Sequence, residues 1–254
     1  MSAYDFYQTD RAQSEYLLFH YGSPAQTMPW GFGPLEALDY PSRCVSECLD
    51  RSRLPSQARA LDLGCAVGRS TFELARWCFE VIGIDYSHRF IEIAQQLQQC
   101  GSVSYDYVEE GRLTTPATAE VPAGIDRQRV RFEQGDAQDL RSDLGQFDVV
   151  LMANLVDRLR DPKSCLDSLH SLVRQGGQLI LTTPCTWLEE YTPRLQWLGG
   201  FERDGRVIKT LESLRAVLDP QFALTRTLDM PFLIREHERK FQWSVAQATI
   251  WVRR

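Results

Sequence analysis

The sequence predicts an α/β protein built on a seven-stranded, mostly parallel sheet with helices on both faces. Strand-length apolar runs alternate with helix-length amphipathic ones through the middle of the chain. A turn of small residues joins the first of these strands to its helix, the junction that α/β sheets use for ligands. No repeat, low-complexity tract or Pro/Gly/Ser-rich linker divides the chain, so residues 1–254 read as a single domain.

The elements follow in order. A helix is predicted over 11–19, then a loop of small and aromatic residues, YGSPAQTMPWGFGP at 21–34, then a second helix over 35–49. Residues 1–50 together read as an N-terminal helical cap, whose glycines and aromatics suit a lid that excludes water. Strands at 60–63 and 81–84 alternate with helices at 70–78 and 90–99. Period-two patterning on both sides of Glu109-Glu110-Gly111-Arg112 marks residues 102–120 as an inserted β-hairpin. Later strands fall at 130–133, 147–152 and 178–182. A helix over 163–173 precedes the last and is expected to stop at Gly176-Gly177. The tail offers two strands, 222–228 and 245–252, as an antiparallel pair closing the sheet, with the charge-dense stretch LIREHERKF (233–241) between them.

Composition narrows the function. The chain has 28 Lys+Arg against 34 Asp+Glu, a formal charge of −6, with 43% hydrophobic and 24% charged residues. These are ordinary proportions for a globular protein, and the acidic balance argues against nucleic acid as a partner. No stretch approaches the ~18 to 20 apolar residues of a membrane span. The opening MSAYDFYQTD lacks the basic-then-apolar pattern of a signal segment, so a cytoplasmic protein is expected. The seven cysteines include no CxxC pair and the four histidines are scattered, so neither a disulfide framework nor a metal site is expected.

The chemistry concentrates in ALDLGCAVGRS at 60–70, where a strand meets a helix through Gly64, Cys65, Ala66 and Gly68. Backbone can approach a ligand closely there, with helix N–H groups beside it. Asp85 ends the next strand, 23 residues after Asp62, where an acid can accept both hydroxyls of a ribose; Tyr86 follows it. The turn lacks the third glycine of a dinucleotide site. Asp62 at the strand end would repel a pyrophosphate and suits the ammonium and sulfonium of S-adenosylmethionine. This segment resembles the first motif of the Rossmann-like class I methyltransferases, D-x-G-x-G-x-G, with Ala66 in place of a glycine. Its methyl group suits the turn if φ stays negative there.

The other motifs of that superfamily follow in order. QGDA at 134–137 puts Asp136 where an acid meets the adenine amino group, with Ala137 beside the ring. FDVVLMAN at 147–154 ends at the topological switch point, and GGQLIL at 176–181 opens the fifth strand. The flanking segments SEYLLFHYGSP (14–24), TWLEEYTP (186–193), WLGGF (197–201) and PFLIREHERKFQW (231–243) are similar to those of the ovothiol-biosynthesis methyltransferases. The resemblance runs from about Tyr7 to the C-terminus. It implies transfer of a methyl group from S-adenosylmethionine to an imidazole nitrogen of 5-thiohistidine, giving ovothiol A and S-adenosylhomocysteine. No metal takes part in this reading. Functional pairing with a separate sulfoxide synthase is expected, because no such domain lies in this chain, and the oligomeric state stays open.

That chemistry assigns provisional roles. A thiolate–imidazolium substrate must lose a ring proton before its nitrogen attacks. Asp157, Glu189, Glu190 and His237 are candidate bases, and Asn154 is the polar residue that ends an apolar core strand. Arg158 or Arg235 would clamp the carboxylate and Glu189 or Glu190 the ammonium. Tyr21, Trp187, Tyr191 and Trp197 would wall the ring. Plainer alternatives stand beside these: Arg235 on a solvated charged face, His237 on the surface and Trp197 in the core. Two other functions fit the superfamily motifs. One is a methyltransferase for another small heteroaromatic or phenolic acceptor; the other is a non-catalytic S-adenosylmethionine-binding partner of a synthase.

Overall fold

The computed structural model describes residues 6–254; residues 1–5, the start of the expected cap, lie outside the described residues. Helix α1 (Asp10–Tyr21) starts where the Thr9 side chain accepts from the Ala12 amide. A capping box between Ser23 and Gln26 then nucleates the single turn α2 (Pro24–Thr27) inside the stretch expected to be loop. The helix expected over 35–49 is two pieces, a 3-10 turn Leu35–Ala37 and helix α3 (Tyr40–Ser46). Asp39 is left-handed between them, at φ 54°, and Pro41 cannot donate to a preceding turn, so the helix has to begin there.

Strand β1 (Arg59–Leu63), helix α4 (Arg69–Leu74), strand β2 (Glu80–Asp85) and helix α5 (His88–Cys100) form the first half of the sheet. Strands β3 (Ser102–Glu110) and β4 (Leu113–Glu120) then pair as the inserted hairpin through a Gly111-Arg112 turn. Strand β5 (Val130–Gln134), strand β6 (Phe147–Ala153), helix α6 (Pro162–Leu172) and strand β7 (Val173–Thr183) complete the parallel part. A small hairpin, β8 (Phe201–Arg203) with β9 (Arg206–Ile208), and helix α7 (Thr210–Leu218) precede the final pair, β10 (Phe222–His237) and β11 (Lys240–Arg253).

The seven-stranded sheet runs β10-β11-β7-β6-β1-β2-β5, with β7 to β5 parallel and β11 antiparallel to both its neighbours. From β1 the chain moves outward to β2 on one side and later returns to β6 on the other, so the switch point lies between the carboxyl ends of β1 and β6. Alternate residues of β1 face opposite layers. Ala60 packs with Phe72, Ile91 and Leu97, whereas Leu61 and Leu63 pack with Leu166, Leu169 and Leu214. Among the described residues no helix is long and apolar enough to cross a membrane.

Two expectations are corrected. Gly176-Gly177 does not cap α6, which ends at Leu172 and passes directly into β7 through extended Val173. The pair lies inside β7, where left-handed Gly176 (φ 76°) makes a bulge and the register against β6 jumps from Phe147↔Val173 to Val149↔Gln178. The charged stretch 233–241, expected between the two closing strands, is itself part of the hairpin they form. Asp229 pairs with Gln247, the partner of Thr183 at the end of β7, and residues 230–237 continue past that point paired only to β11. At ~3.3 Å per residue this arm reaches about 25 Å beyond the carboxyl edge of the sheet. Phe232, Leu233 and Arg235 on it are buried, which an isolated arm could not support. Helix α1 packs against both this arm and the β3–β4 hairpin, which roof the carboxyl edge.

Candidate active site

The floor of the site is the turn after β1. Gly64 and Gly68 are left-handed at φ 73° and 86°; a Cβ on Gly64 would come within 2.9 Å of Leu155 and one on Gly68 within 2.5 Å of the Phe132 ring. Ala66 is left-handed too, at φ 47°, so the expectation of a negative φ is corrected. It is held by a bond from its amide to Asp85 Oδ2 at 2.9 Å, while Asp85 Oδ1 accepts from the Ser87 amide at 2.8 Å. Each Asp85 oxygen thus keeps a lone pair for a further donor. Burial pushes this carboxyl up to about 6 against the two backbone bonds that hold it down. The cradle and the acid suit a ligand that brings paired hydroxyls to the end of β2.

Asp62 faces inward. It is fully buried, and its Oδ2 accepts from Ser70 and Thr71, each at 2.7 Å. Oδ1 has no hydrogen-bond partner among the described residues. Burial drives its carboxyl up to about 6. Asp62 therefore ties the start of α4 to β1 beneath the turn. Cys65 is buried in the turn, with its amide bonded to Ile84 O at 3.2 Å. Tyr86 is 53% exposed beside Asp85. Asp136, half-buried after β5, accepts from the Gln138 amide at 2.9 Å, and Ala137 O receives the Cys165 thiol.

Asn154 lies across the switch point at the end of β6, left-handed at φ 51°. Its Oδ1 accepts from Tyr40 OH at 2.8 Å and from Thr182 Oγ1 at 3.0 Å. Just beyond, fully buried Asp157 accepts from the Thr186 amide at 2.9 Å and pairs with Arg158 at 3.2 Å. Its other oxygen is buried without a partner among the described residues, and burial raises its pKa. Arg158 also donates to Thr186 O at 3.0 Å and lies 4.8 Å over the Tyr191 ring.

The roof comes down onto these groups. Tyr21 OH, on the last turn of α1, donates to Val67 O in the turn at 2.9 Å. Tyr7 meets Tyr16, Phe90 and Tyr191 with ring centroids 6.0 to 6.3 Å apart, and Ser87 Oγ donates to Tyr7 O at 2.8 Å. Burial raises the pKa of Tyr7, Tyr16 and Tyr191, with Arg158 opposing the shift in each. His20 is buried, and burial with the nearby Arg69 charge lowers its pKa to about 3, so the ring is neutral; its Nδ1 has no partner among the described residues.

The structure thus gathers Asp85, Asn154, Asp157, Arg158, Tyr191 and Tyr21 around one edge. It puts the other candidates elsewhere. Trp187 is buried with Leu198 and Leu214, its indole donating to Thr210 at 2.9 Å, and partly buried Trp197 packs in the same cluster. Glu189 and Glu190 are exposed. His237 sits at the tip of the arm, its Nδ1 accepting from the Arg239 amide. Arg235 is neither solvated nor open to a ligand carboxylate at its terminal nitrogens. It is 2% exposed and bonded to Gln26 O and to Glu109, 5.1 Å over the Tyr107 ring, so it latches the α2 segment and both hairpins together. Sequence reading missed Tyr7, Tyr16, His20, Tyr40 and Thr182. Only the aromatic run around 16–21 carried a hint, because each of these reaches the site through tertiary packing. Among the described residues no cluster of three ligating side chains could hold a metal.

Comparison with known proteins agrees with this geometry. The methyltransferase domain family matches residues 37–220. Ubiquinone biosynthesis O-methyltransferases from Cereibacter sphaeroides and Ruegeria pomeroyi are 29% and 30% identical over 150 residues. That is 58% of this chain and 51% and 50% of theirs. The chain therefore matches about half the length of these relatives. In fold it is similar to the YcgJ protein from Bacillus subtilis, with a TM-score of 0.50 and 15% identity over 79% of this chain and 93% of that one. It is also similar to a chain from a study of the conversion of a disulfide bond into a thioacetal group during echinomycin biosynthesis. There the TM-score is 0.51, with 16% identity over 78% and 76% of the two chains. The chain belongs to the methyltransferase domain family.

Proposed function

We propose, from that membership, that this chain methylates an imidazole nitrogen of 5-thiohistidine to give ovothiol A. The observation that supports the substrate most is the origin of the roof. Helix α1 and the β10–β11 arm lie outside residues 37–220, the part shared with the methyltransferase family. Segments 14–24, 186–193 and 231–243, by which the chain resembles the ovothiol-biosynthesis methyltransferases, all converge on the same carboxyl edge. Tyr21 bonds the turn, Tyr191 meets Tyr7 and Arg158, and Arg235 latches the hairpins.

S-adenosylmethionine, when bound, supplies an electrophilic methyl group on a sulfonium. In this reading Asp85 accepts the ribose hydroxyls with the lone pairs that Ala66 and Ser87 leave, and the Gly64–Gly68 turn keeps side chains out of the way. Arg158, braced by Asp157 and stacked on Tyr191, sets positive charge where the amino acid carboxylate docks. The closed aromatic roof excludes water and fixes the ring, and orientation supplies most of the acceleration. A separate sulfoxide synthase is this chain's functional partner, acting earlier in the same sequence of reactions.

The names of the curated relatives favour a second reading, transfer to a phenolic oxygen. Incubation of the purified protein with S-adenosylmethionine and, separately, 5-thiohistidine, histidine and a catechol decides between them. The expected result is one equivalent of S-adenosylhomocysteine per N-methylated thiol, with the methyl position read by NMR. Turnover of the catechol without turnover of the thiol selects the second reading.

A further inference from the structure

We infer that Tyr40 and Thr182 are positioning residues that lock the Asn154 amide with its carbonyl inward, so that it offers a substrate only N–H donors. The inference rests on the substrate proposed above and adds how nitrogen is chosen over sulfur.

Asn154 has a single fixed place. Left-handed backbone at the end of β6 is tolerated by asparagine, and its amide N–H is held by Thr182 O at 2.9 Å and Thr182 Oγ1 at 3.1 Å. Tyr40 OH and Thr182 Oγ1 lie 2.7 Å apart, and both contact the same side-chain amide atom. A carbonyl oxygen can accept from both. An NH₂ group there could aim only one hydrogen into so narrow a gap, leaving the hydroxyl protons without that acceptor. Tyr40 is 2% exposed and Thr182 fully buried, so water does not substitute. Phe19 of α1 and Phe232 of the arm pack on the Tyr40 ring, with centroids 6.1 and 4.9 Å away, so the roof itself holds the lock.

Two hydroxyl protons serve three oxygen–oxygen contacts, so at least one of them reaches the Asn154 carbonyl, and the capacity this amide turns to a substrate is its two N–H groups. They pair with an electron-rich atom and offer no acceptor to a ring N–H. On a thiolate-bearing imidazole that atom is sulfur, the softer nucleophile. Hydrogen bonds quench its reactivity and turn a ring nitrogen toward the donor. The nitrogen, its proton already released to water, forms the N–CH₃ bond as the donor's S–CH₃ bond breaks. The electron pair stays on the donor sulfur and leaves S-adenosylhomocysteine.

Tyr40→Phe removes one oxygen from a buried ring and tests the lock. With 5-thiohistidine, the ratio of S- to N-methyl product should rise about fivefold, the value of one ordinary hydrogen bond. Thr182→Ser, which keeps the hydroxyl, should retain the wild-type ratio. Asn154→Asp, an acceptor facing an anionic sulfur, should raise KM at least about tenfold. A wild-type ratio and KM in both Tyr40→Phe and Asn154→Asp would overturn the lock. A Tyr40→Phe protein that does not fold passes the decision to Thr182→Val, read by the same ratio. If the wild type leaves 5-thiohistidine untouched, the substrate reading falls. The lock is then read on whichever acceptor is methylated, where an unchanged KM for Tyr40→Phe overturns it as well.

Discussion

Ala66 and Asp62 show how tightly the donor turn is drawn. An L-residue held left-handed costs roughly 1 kcal/mol more than glycine, and Ala66 at φ 47° bears that cost because Asp85 holds its amide. Ala66→Gly should therefore raise the melting temperature by about 2–4 °C, checked by calorimetry without ligand. Asp62 adds a pH signature. Its buried carboxyl, pushed up to about 6 from 3.8, binds its proton more tightly folded than unfolded. That contribution to stability is full below pH 3.8 and is lost as pH rises through about 6. Asp62→Asn, neutral throughout, should gain on the order of 1 kcal/mol on the wild type between pH 5 and pH 7.5. Urea midpoints at the two pH values measure this, and comparing the two cancels the cost of the altered side chain. At this scale the sequence was legible in part. An acid at a strand end and a small-residue turn are local patterns, so Asp85, Gly64 and Gly68 could be read directly. The backbone angle of Ala66 and the inward turn of Asp62 depend on partners 19 and 8 residues away, and could not.

Among the elements, strands β1, β2 and β6 were readable because central parallel strands are nearly continuous apolar runs. The β10–β11 arm was not. Charge along 233–241 reads as a break between two strands until the hairpin and α1 supply it with a partner face. The Gly176-Gly177 bulge escaped for a related reason, since a glycine pair after a helix reads the same whether it caps the helix or kinks the next strand. Helix α7 was overlooked between two loops although its apolar positions keep helical spacing. The arm rests on Arg235. Replacing it by Met leaves Glu109 without its cation and Gln26 O without a donor, and should cost about 3 kcal/mol. Urea unfolding reads the loss. An unchanged midpoint would mean that the latch bears no load.

Across the whole molecule, a family-shared floor meets a roof made from the two flanks of the chain and the inserted β3–β4 hairpin. In the proposed reading donor affinity belongs to the floor, and the roof packs on the residues that choose the acceptor. Hydrogen exchange with S-adenosylhomocysteine added should slow amides of the 64–68 turn and of α1 together, through the Tyr21–Val67 bond, by about tenfold or more at a ligand concentration well above Kd. Protection of the turn alone would show that the roof does not sense the donor.

The roof's fastenings also set a timetable. Glu109 meets Arg235 across 126 positions, Trp30 meets Glu238 across 208, Gln26 meets Arg235 across 209 and Arg11 meets Glu236 across 225, whereas Ala66 meets Asp85 across 19. Distant closures are entropically dear and slow, so during refolding the ability to hold S-adenosylhomocysteine should precede the fluorescence change of Trp30. Stopped-flow mixing that finds the two simultaneous would refute this. A chain caught midway could grip its methyl donor before it could tell one acceptor from another.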